Sequence, residues 1–176
     1  MTDEAFLLLK IQEGEGYKVE FKERLANLDR EIVAFANASG GEIYLGVNDE
    51  GEIKGIEISN SLLSQIQDIA RNCDPSVQIN LKKYKQHDIL LILVEEGENK
   101  PYKCKDGFFL RVGPNAQKLK RDEIIQFIND VGKVHFDEKI NKRFDYPNHF
   151  SKEALLAFLN YCGRDLKAAQ KIYYSA

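Results

Sequence analysis

The chain has 176 residues, with 25 Lys plus Arg against 28 Asp plus Glu, 43% hydrophobic and 30% charged residues. That composition excludes wholesale disorder and suits one domain of about 150 residues plus a tail. The net charge of −3 excludes an overall basic nucleic-acid binder but leaves a local basic patch open.

In chain order, Phe6, Leu7 and Leu9 to Ile11 fall at helical spacing behind the N-cap candidates Thr2 and Asp3. Val19-Glu20-Phe21-Lys22 alternates apolar and charged, the pattern of a half-buried strand. Asp29 caps a predicted helix with an apolar face of Ile32, Val33, Phe35 and Ala36, stopped at Ser39-Gly40-Gly41 by a glycine. Glu42 to Val47 reads as a strand. Asn48-Asp49-Glu50-Gly51 supplies a turn, and Glu52 to Ile56 is expected to return as the hairpin partner. Asn60 or Ser61 caps a third helix over Leu62, Leu63, Ile66, Ile69 and Ala70, which ends at Asp74-Pro75.

Strands are predicted at Val77 to Tyr84 and at Ile89 to Val94, then a short pair at Tyr102 to Cys104 and Phe108 to Val112 turning at Lys105-Asp106-Gly107. Gly113 to Ala116 reads as a loop, followed by a helix from Arg121 to about Val131. The order predicts an α+β fold, a mixed, largely antiparallel sheet with helices on one face. Domain 1–132 is expected to be followed by a polar linker and the start of a further region at 133–176, with a helix at Ser151 to Tyr161. No apolar run reaches the roughly 20 residues of a membrane helix, and the N-terminus lacks a secretion signal, so no membrane partner and a cytoplasmic location are expected.

Cys73, Cys104 and Cys162 form no C-x-x-C pair, and His87, His135 and His149 show no metal-ligand spacing, so reduced thiols and surface histidines are expected. Nor is there a P-loop, a complete dinucleotide fingerprint or a G-x-S-x-G motif. Glu20 and Lys22 share one strand face, and a bend at Gly16 would bring Glu15 to the same place. Two carboxylates beside an ammonium could hold a divalent cation and a phosphate, with Asp49 as a third carboxylate. The ordinary reading is a solvated strand face, and for Asn48-Asp49 a tight turn. From Gly97 to Arg121, seven basic residues (Lys100, Lys103, Lys105, Arg111, Lys118, Lys120, Arg121) stand against two acids, a local +5. Tyr102, Phe108 and Phe109 interleave with them, which suits contact with phosphates and bases; the ordinary alternative is a solvated face. Arg111 lies between Leu110 and Val112 and is expected to point away from the core.

Three blocks together resemble a known family. They are Glu15-Gly16-Tyr17-Lys18-Val19-Glu20-Phe21-Lys22, then Ala34 through Gly51 (AFANASGGEIYLGVNDEG), then Asn99-Lys100-Pro101-Tyr102 with Phe109-Leu110-Arg111-Val112-Gly113-Pro114. This is similar to the Schlafen AlbA-type DNA-binding domain. The resemblance implies an AlbA-like fold and a nucleic-acid-binding module of bacterial transcriptional regulators, with DNA favoured over RNA. Such domains often precede a RecG-related ATPase-like region. Under it, Lys22, Lys100, Lys103, Arg111, Lys118, Lys120 and Arg121 are the expected phosphate contacts, and no cofactor is needed. The alternative it carries is the metal-dependent endoribonuclease activity of animal Schlafen proteins. Glu15, Glu20 and Asp49 would then be catalytic and hold Mg²⁺ or Mn²⁺, although Asn48 replaces the first residue of the usual aspartate pair. That activity would also require a homodimer.

Overall fold

A computed structural model describes residues 3–131, 145, 148 and 151–161. Thr2, residues 133–144 of the expected linker, His135, His149, Cys162 and the segment after it lie outside the described residues. The chain divides into two compact units, 1–134 and 135–176.

In the first unit, α1 (Asp3–Glu13) leads into β1 (Val19–Lys22), α2 (Leu28–Asn37) and β2 (Gly41–Leu45). α3 (Asn60–Arg71) precedes the hairpin β3 (Ile79–Tyr84) and β4 (Ile89–Val94). β5 (Lys103–Cys104), β6 (Gly107–Val112) and β7 (Asn115–Lys118) then lead to α4 (Arg121–Asp130). One sheet runs β1-β2-β4-β3 and the other β5-β6-β7. Only β1–β2 is parallel, as expected for strands separated by a helix; the other pairs are antiparallel. The fold is α+β, and most of its strand pairing is antiparallel. In the second unit, α5 (Lys152–Tyr161) is capped by Ser151, whose Oγ accepts the Ala154 N–H at 3.1 Å. Among the described residues no helix is long and apolar enough to cross a membrane.

The layers follow from strand alternation. Ile43, Leu45, Leu90, Ile92 and Val94 face α2 and α3, whereas Val19, Phe21, Tyr44, Ile89 and Leu91 pack with Leu7 and Ile11 of α1. Helices therefore cover both faces of the four-stranded sheet, which corrects the expectation of one face. α2 is buried at Leu28 and at every residue from Glu31 to Asn37, because it lies between that sheet and the β5-β6-β7 sheet, whose Tyr102, Cys104 and Phe109 share its core.

Local chemistry departs from the sequence reading in several places. The N-cap of α2 is Asn27, held at φ 57°, and not Asp29, which sits in the first helical turn. α2 ends as expected on glycine: Gly40, at φ 73°, donates its N–H to Phe35 O at 3.0 Å. The cap of α3 is Ser59, whose Oγ accepts the Leu62 N–H at 3.1 Å. The hairpin expected after β2 shrinks to a single bridge, Val47–Ile53, because β1 and β4 already flank β2. Asn115 to Lys118, read partly as loop, is β7 and pairs with β6.

Candidate nucleic-acid interface and the charged core behind it

The parity of β1 sends Val19 and Phe21 toward α1 and leaves Glu20 and Lys22 on the face toward α2 and β6. There Glu20, 6% exposed, meets Glu31 of α2, 8% exposed, and Arg111 of β6, 3% exposed. Arg111 Nη2 lies 2.7 Å from Glu20 Oε2, and Nη1 lies 3.0 Å from Glu31 Oε2. The same Nη2 donates to Gly16 O at 2.9 Å and Val19 O at 3.1 Å. Lys22 Nζ donates to Glu20 Oε1 at 2.6 Å and stands 3.6 Å from Glu31 Oε1. Two carboxylates and two cations thus neutralise one another inside the protein, the condition under which buried charge is tolerated. The guanidinium also stacks 4.5 Å from the Phe35 ring centroid, and its Nε has no hydrogen-bond partner.

The expectation that Arg111 points away from the core is therefore corrected. On β6 the outward row is Phe108, Leu110 and Val112, and the row facing α2 is Phe109 and Arg111. An apolar row is not always the covered row, and here the α2 side offered carboxylates to a guanidinium. Sequence reasoning missed Glu31 altogether. Glu31 is an acid in the first turn of α2, and its spacing of three from Leu28 and four from Phe35 puts it on a buried stripe.

Glu15 does come close to Glu20. The chain turns back over Gly16 to Val19, as expected: Gly16 donates its N–H to Val19 O at 3.0 Å and Val19 donates its N–H to Gly16 O at 3.4 Å, while the left-handed Gly14, at φ 84°, lies just before Glu15. Glu15 Oε1 accepts the Phe21 N–H at 2.8 Å. Burial raises the Glu15 pKa above its ordinary value; the Phe21 amide opposes this, and the charges of Glu20 and Asp49 add to it. Burial likewise raises Glu31, reinforced by Glu20 and opposed by Lys22 and Arg111. Asp49 is exposed on the turn after β2. Its neighbour Asn48 is committed to that turn: Oδ1 accepts the Glu52 N–H at 2.8 Å and Nδ2 donates to Glu52 Oε2 at 3.0 Å. Among the described residues no group of three or more acidic, histidine or cysteine side chains is arranged to hold a metal ion. Both Glu20 oxygens are taken by cations of the protein itself, so the residues present do not fit a resident Mg²⁺ or Mn²⁺.

The basic segment separates into two sets. Lys100 is mostly covered: its Nζ donates to Ala38 O at 2.5 Å and Glu96 Oε1 at 2.6 Å. Lys18 reaches Ser39 O and Gly40 O, so two ammonium groups serve the carbonyls at the C-terminus of α2. Lys22, Lys100 and Arg111 thus bind the protein to itself. The exposed set is Lys103, Lys105, Lys118, Lys120 and Arg121. Lys103 stands 3.3 Å from Asp74 and Lys105 3.9 Å from Asp29, both exposed lysine ends. The Lys118 chain lies over Gly107, where an added Cβ would meet its Cε at 3.2 Å, so Lys118 sits beside the β5–β6 turn that carries Lys105. Of the three aromatic residues interleaved with the basic segment, Tyr102 and Phe109 are buried and Phe108 is partly open to solvent.

Asn37, at the end of α2 and 2% exposed, fastens the second sheet to the helix. Its Nδ2 donates to Tyr102 O and to Phe109 O, each at 2.8 Å, and its Oδ1 accepts the Tyr102 N–H at 2.7 Å.

No curated protein matches the sequence. A solved structure, the DIP2311 protein from Corynebacterium diphtheriae, matches with 19% identity and a TM-score of 0.48, over 64% of this chain and 27% of that one. This chain therefore spans about a quarter of that protein's length. The profile of the Schlafen, AlbA_2 family matches residues 15–120, well over half of the chain. That span runs from Glu15 through the charged core and the β5-β6-β7 sheet. The chain belongs to the Schlafen AlbA_2 family, which suggests a nucleic-acid-binding domain.

Proposed function

We propose that this chain is the nucleic-acid-binding module of a transcriptional regulator, that its partner is DNA in preference to RNA, and that it grips phosphates without reading base sequence. The observation that carries this reading is the exposed cation set, Lys103, Lys105, Lys118, Lys120 and Arg121, which follows the β5-β6-β7 sheet to the start of α4. The ammonium ends of Lys103 and Lys105 are open to solvent, although the Asp29 carboxylate facing Lys105 is largely covered; ion pairs of exposed lysines are worth little, so phosphate oxygens can replace these acids. The buried Arg111 and the covered Lys22 and Lys100 support this surface from behind by tying β6, β1 and the Glu96 to Lys100 loop to α2. Phosphate contact of this kind is electrostatic and releases counterions.

The test is anisotropy titration of labelled duplex DNA and of a hairpin RNA, each with EDTA and with Mn²⁺, followed by a denaturing gel. With about five phosphate contacts, DNA affinity should fall about 10²- to 10³-fold between about 50 and 200 mM salt. The triple substitution Lys103→Glu, Lys105→Glu and Lys118→Glu should remove most of that affinity and flatten the salt slope by about 3. Affinity indifferent to salt, or a triple variant that binds as well as the parent, would refute the assignment. Tighter binding to RNA would reverse the choice of partner, and metal-dependent shortening of the RNA would replace binding by cleavage.

A further inference from the structure

The end of α3 and the start of β5 touch through one antiparallel bridge, Asp74 to Lys103. It is a mutual pair: the Asp74 N–H donates to Lys103 O at 2.8 Å, and the Lys103 N–H donates to Asp74 O at 2.9 Å. The side chains of this pair meet on the solvent side, with Lys103 Nζ 3.3 Å from Asp74 Oδ2. Continuing the register by one residue sets Cys73 opposite Cys104, on the inner side. Both are free thiols, 5% and 7% exposed.

A position next to a mutually hydrogen-bonded pair is a narrow one, with Cα atoms about 4.5 Å apart. Disulfides span Cα separations of about 4.4–6.8 Å, so the register brings the thiols within bonding reach. Each sulfur is parked on its own side: Cys73 Sγ donates to Ile69 O at 3.4 Å and Cys104 Sγ to Gly107 O at 3.6 Å. Both line a cavity of about 220 Å³ together with Asn27, Asp29, Asn72 and Lys105, which is room for a small oxidant.

We infer that Cys73 and Cys104 are a paired thiol modification site, which a hydroperoxide converts to an intramolecular disulfide joining the end of α3 to β5. Burial raises both thiols, Cys73 to about 12, but the Asp106 and Gly107 backbone opposes the rise at Cys104. With hydrogen peroxide, the Cys104 sulfur attacks one oxygen: the O–O bond breaks, an S–O bond forms, and one water leaves. The Cys73 sulfur then attacks the sulfenic sulfur of Cys104. The S–S bond forms, the S–O bond breaks, and the departing hydroxide takes the Cys73 proton as a second water. Two electrons pass from the two sulfurs to the peroxide. The site stands on strand register and does not depend on the nucleic-acid reading.

The test treats the full chain with hydrogen peroxide, quenches it with catalase, alkylates the remaining thiols in denaturant and maps peptides without reduction. A monomer lighter by two hydrogens is expected, with alkylation confined to Cys162 of the three cysteines and a Cys73–Cys104 linked peptide that dithiothreitol releases. Cys73→Ser and Cys104→Ser should each abolish the linked peptide. Because the wild-type peptide map is decisive by itself, a poorly folded variant does not spoil the test. Oxygen adducts without a link, a link to Cys162, links between chains, or unreacted thiols would each overturn the inference.

Discussion

Replacing Arg111 by Met keeps most of the aliphatic bulk against Phe35 and removes the guanidinium that joins Glu20 to Glu31. What remains is two carboxylates, each about a tenth exposed or less, facing a single ammonium on Lys22 at 2.6 and 3.6 Å. The carbonyls of Gly16 and Val19 also lose a donor. Breaking a buried ion pair from one side costs about 3–5 kcal/mol. For a unit of this size that corresponds to a fall in Tm of roughly 10–20 °C. The pH dependence has a definite sign. The Glu31 carboxyl is raised above its ordinary 4.5 in the folded state, so the fold holds that proton more tightly than the unfolded chain does. Its contribution to stability is present below 4.5 and is lost as pH rises through the folded value. Removing Arg111 takes away a charge that lowers Glu31, which raises the carboxyl further. The deficit of the variant should therefore be smallest in acid and grow toward neutral pH. Urea unfolding followed by circular dichroism, at about pH 5 and about pH 7, measures both quantities. A neutral-pH loss below about 1 kcal/mol, or a deficit that grows on acidification, would show that the cluster does not carry the buried charge assigned to it.

Three further substitutions test the packing around α2 and α3 by thermal or urea unfolding. Asn37→Ala strands two buried carbonyls and one buried N–H, at about 1–3 kcal/mol each, so a loss of at least about 3 kcal/mol is expected. A near-neutral result would mean that Tyr102 and Phe109 have other partners. Gly41→Ala should cost at least about 1–3 kcal/mol by overpacking, because its Cβ would sit 2.3 Å from the Phe35 ring and 2.9 Å from Lys18 O. Ser59→Ala should cost about 1 kcal/mol, and loss of stability on changing Asn60 instead would move the cap back to where the sequence suggested it.

Much of the local structure was legible in the residues. β1, β4 and α3 lie where alternation, apolar continuity and helical spacing put them, since these periods are properties of the backbone alone. The family, too, was visible in short blocks that hold a turn (Gly40), a clamp (Asn37) and a buried charge (Glu20, Arg111). What the residues left open is which faces are covered. Periodicity says that two sides of an element differ, and only the neighbouring layer says which side is inside. α2 looked one-sided and is enclosed by two sheets, β2 paired with β1 and β4 instead of a following hairpin, and Arg111 turned inward because Glu20 and Glu31 waited there. A charge run reads the same whether its members pair with the core or face water; tertiary packing divided this one, burying Arg111, covering Lys100 and leaving Lys103, Lys105 and Lys118 exposed. The Arg111 contacts join residues 80 to 95 positions apart, a separation that no local pattern encodes.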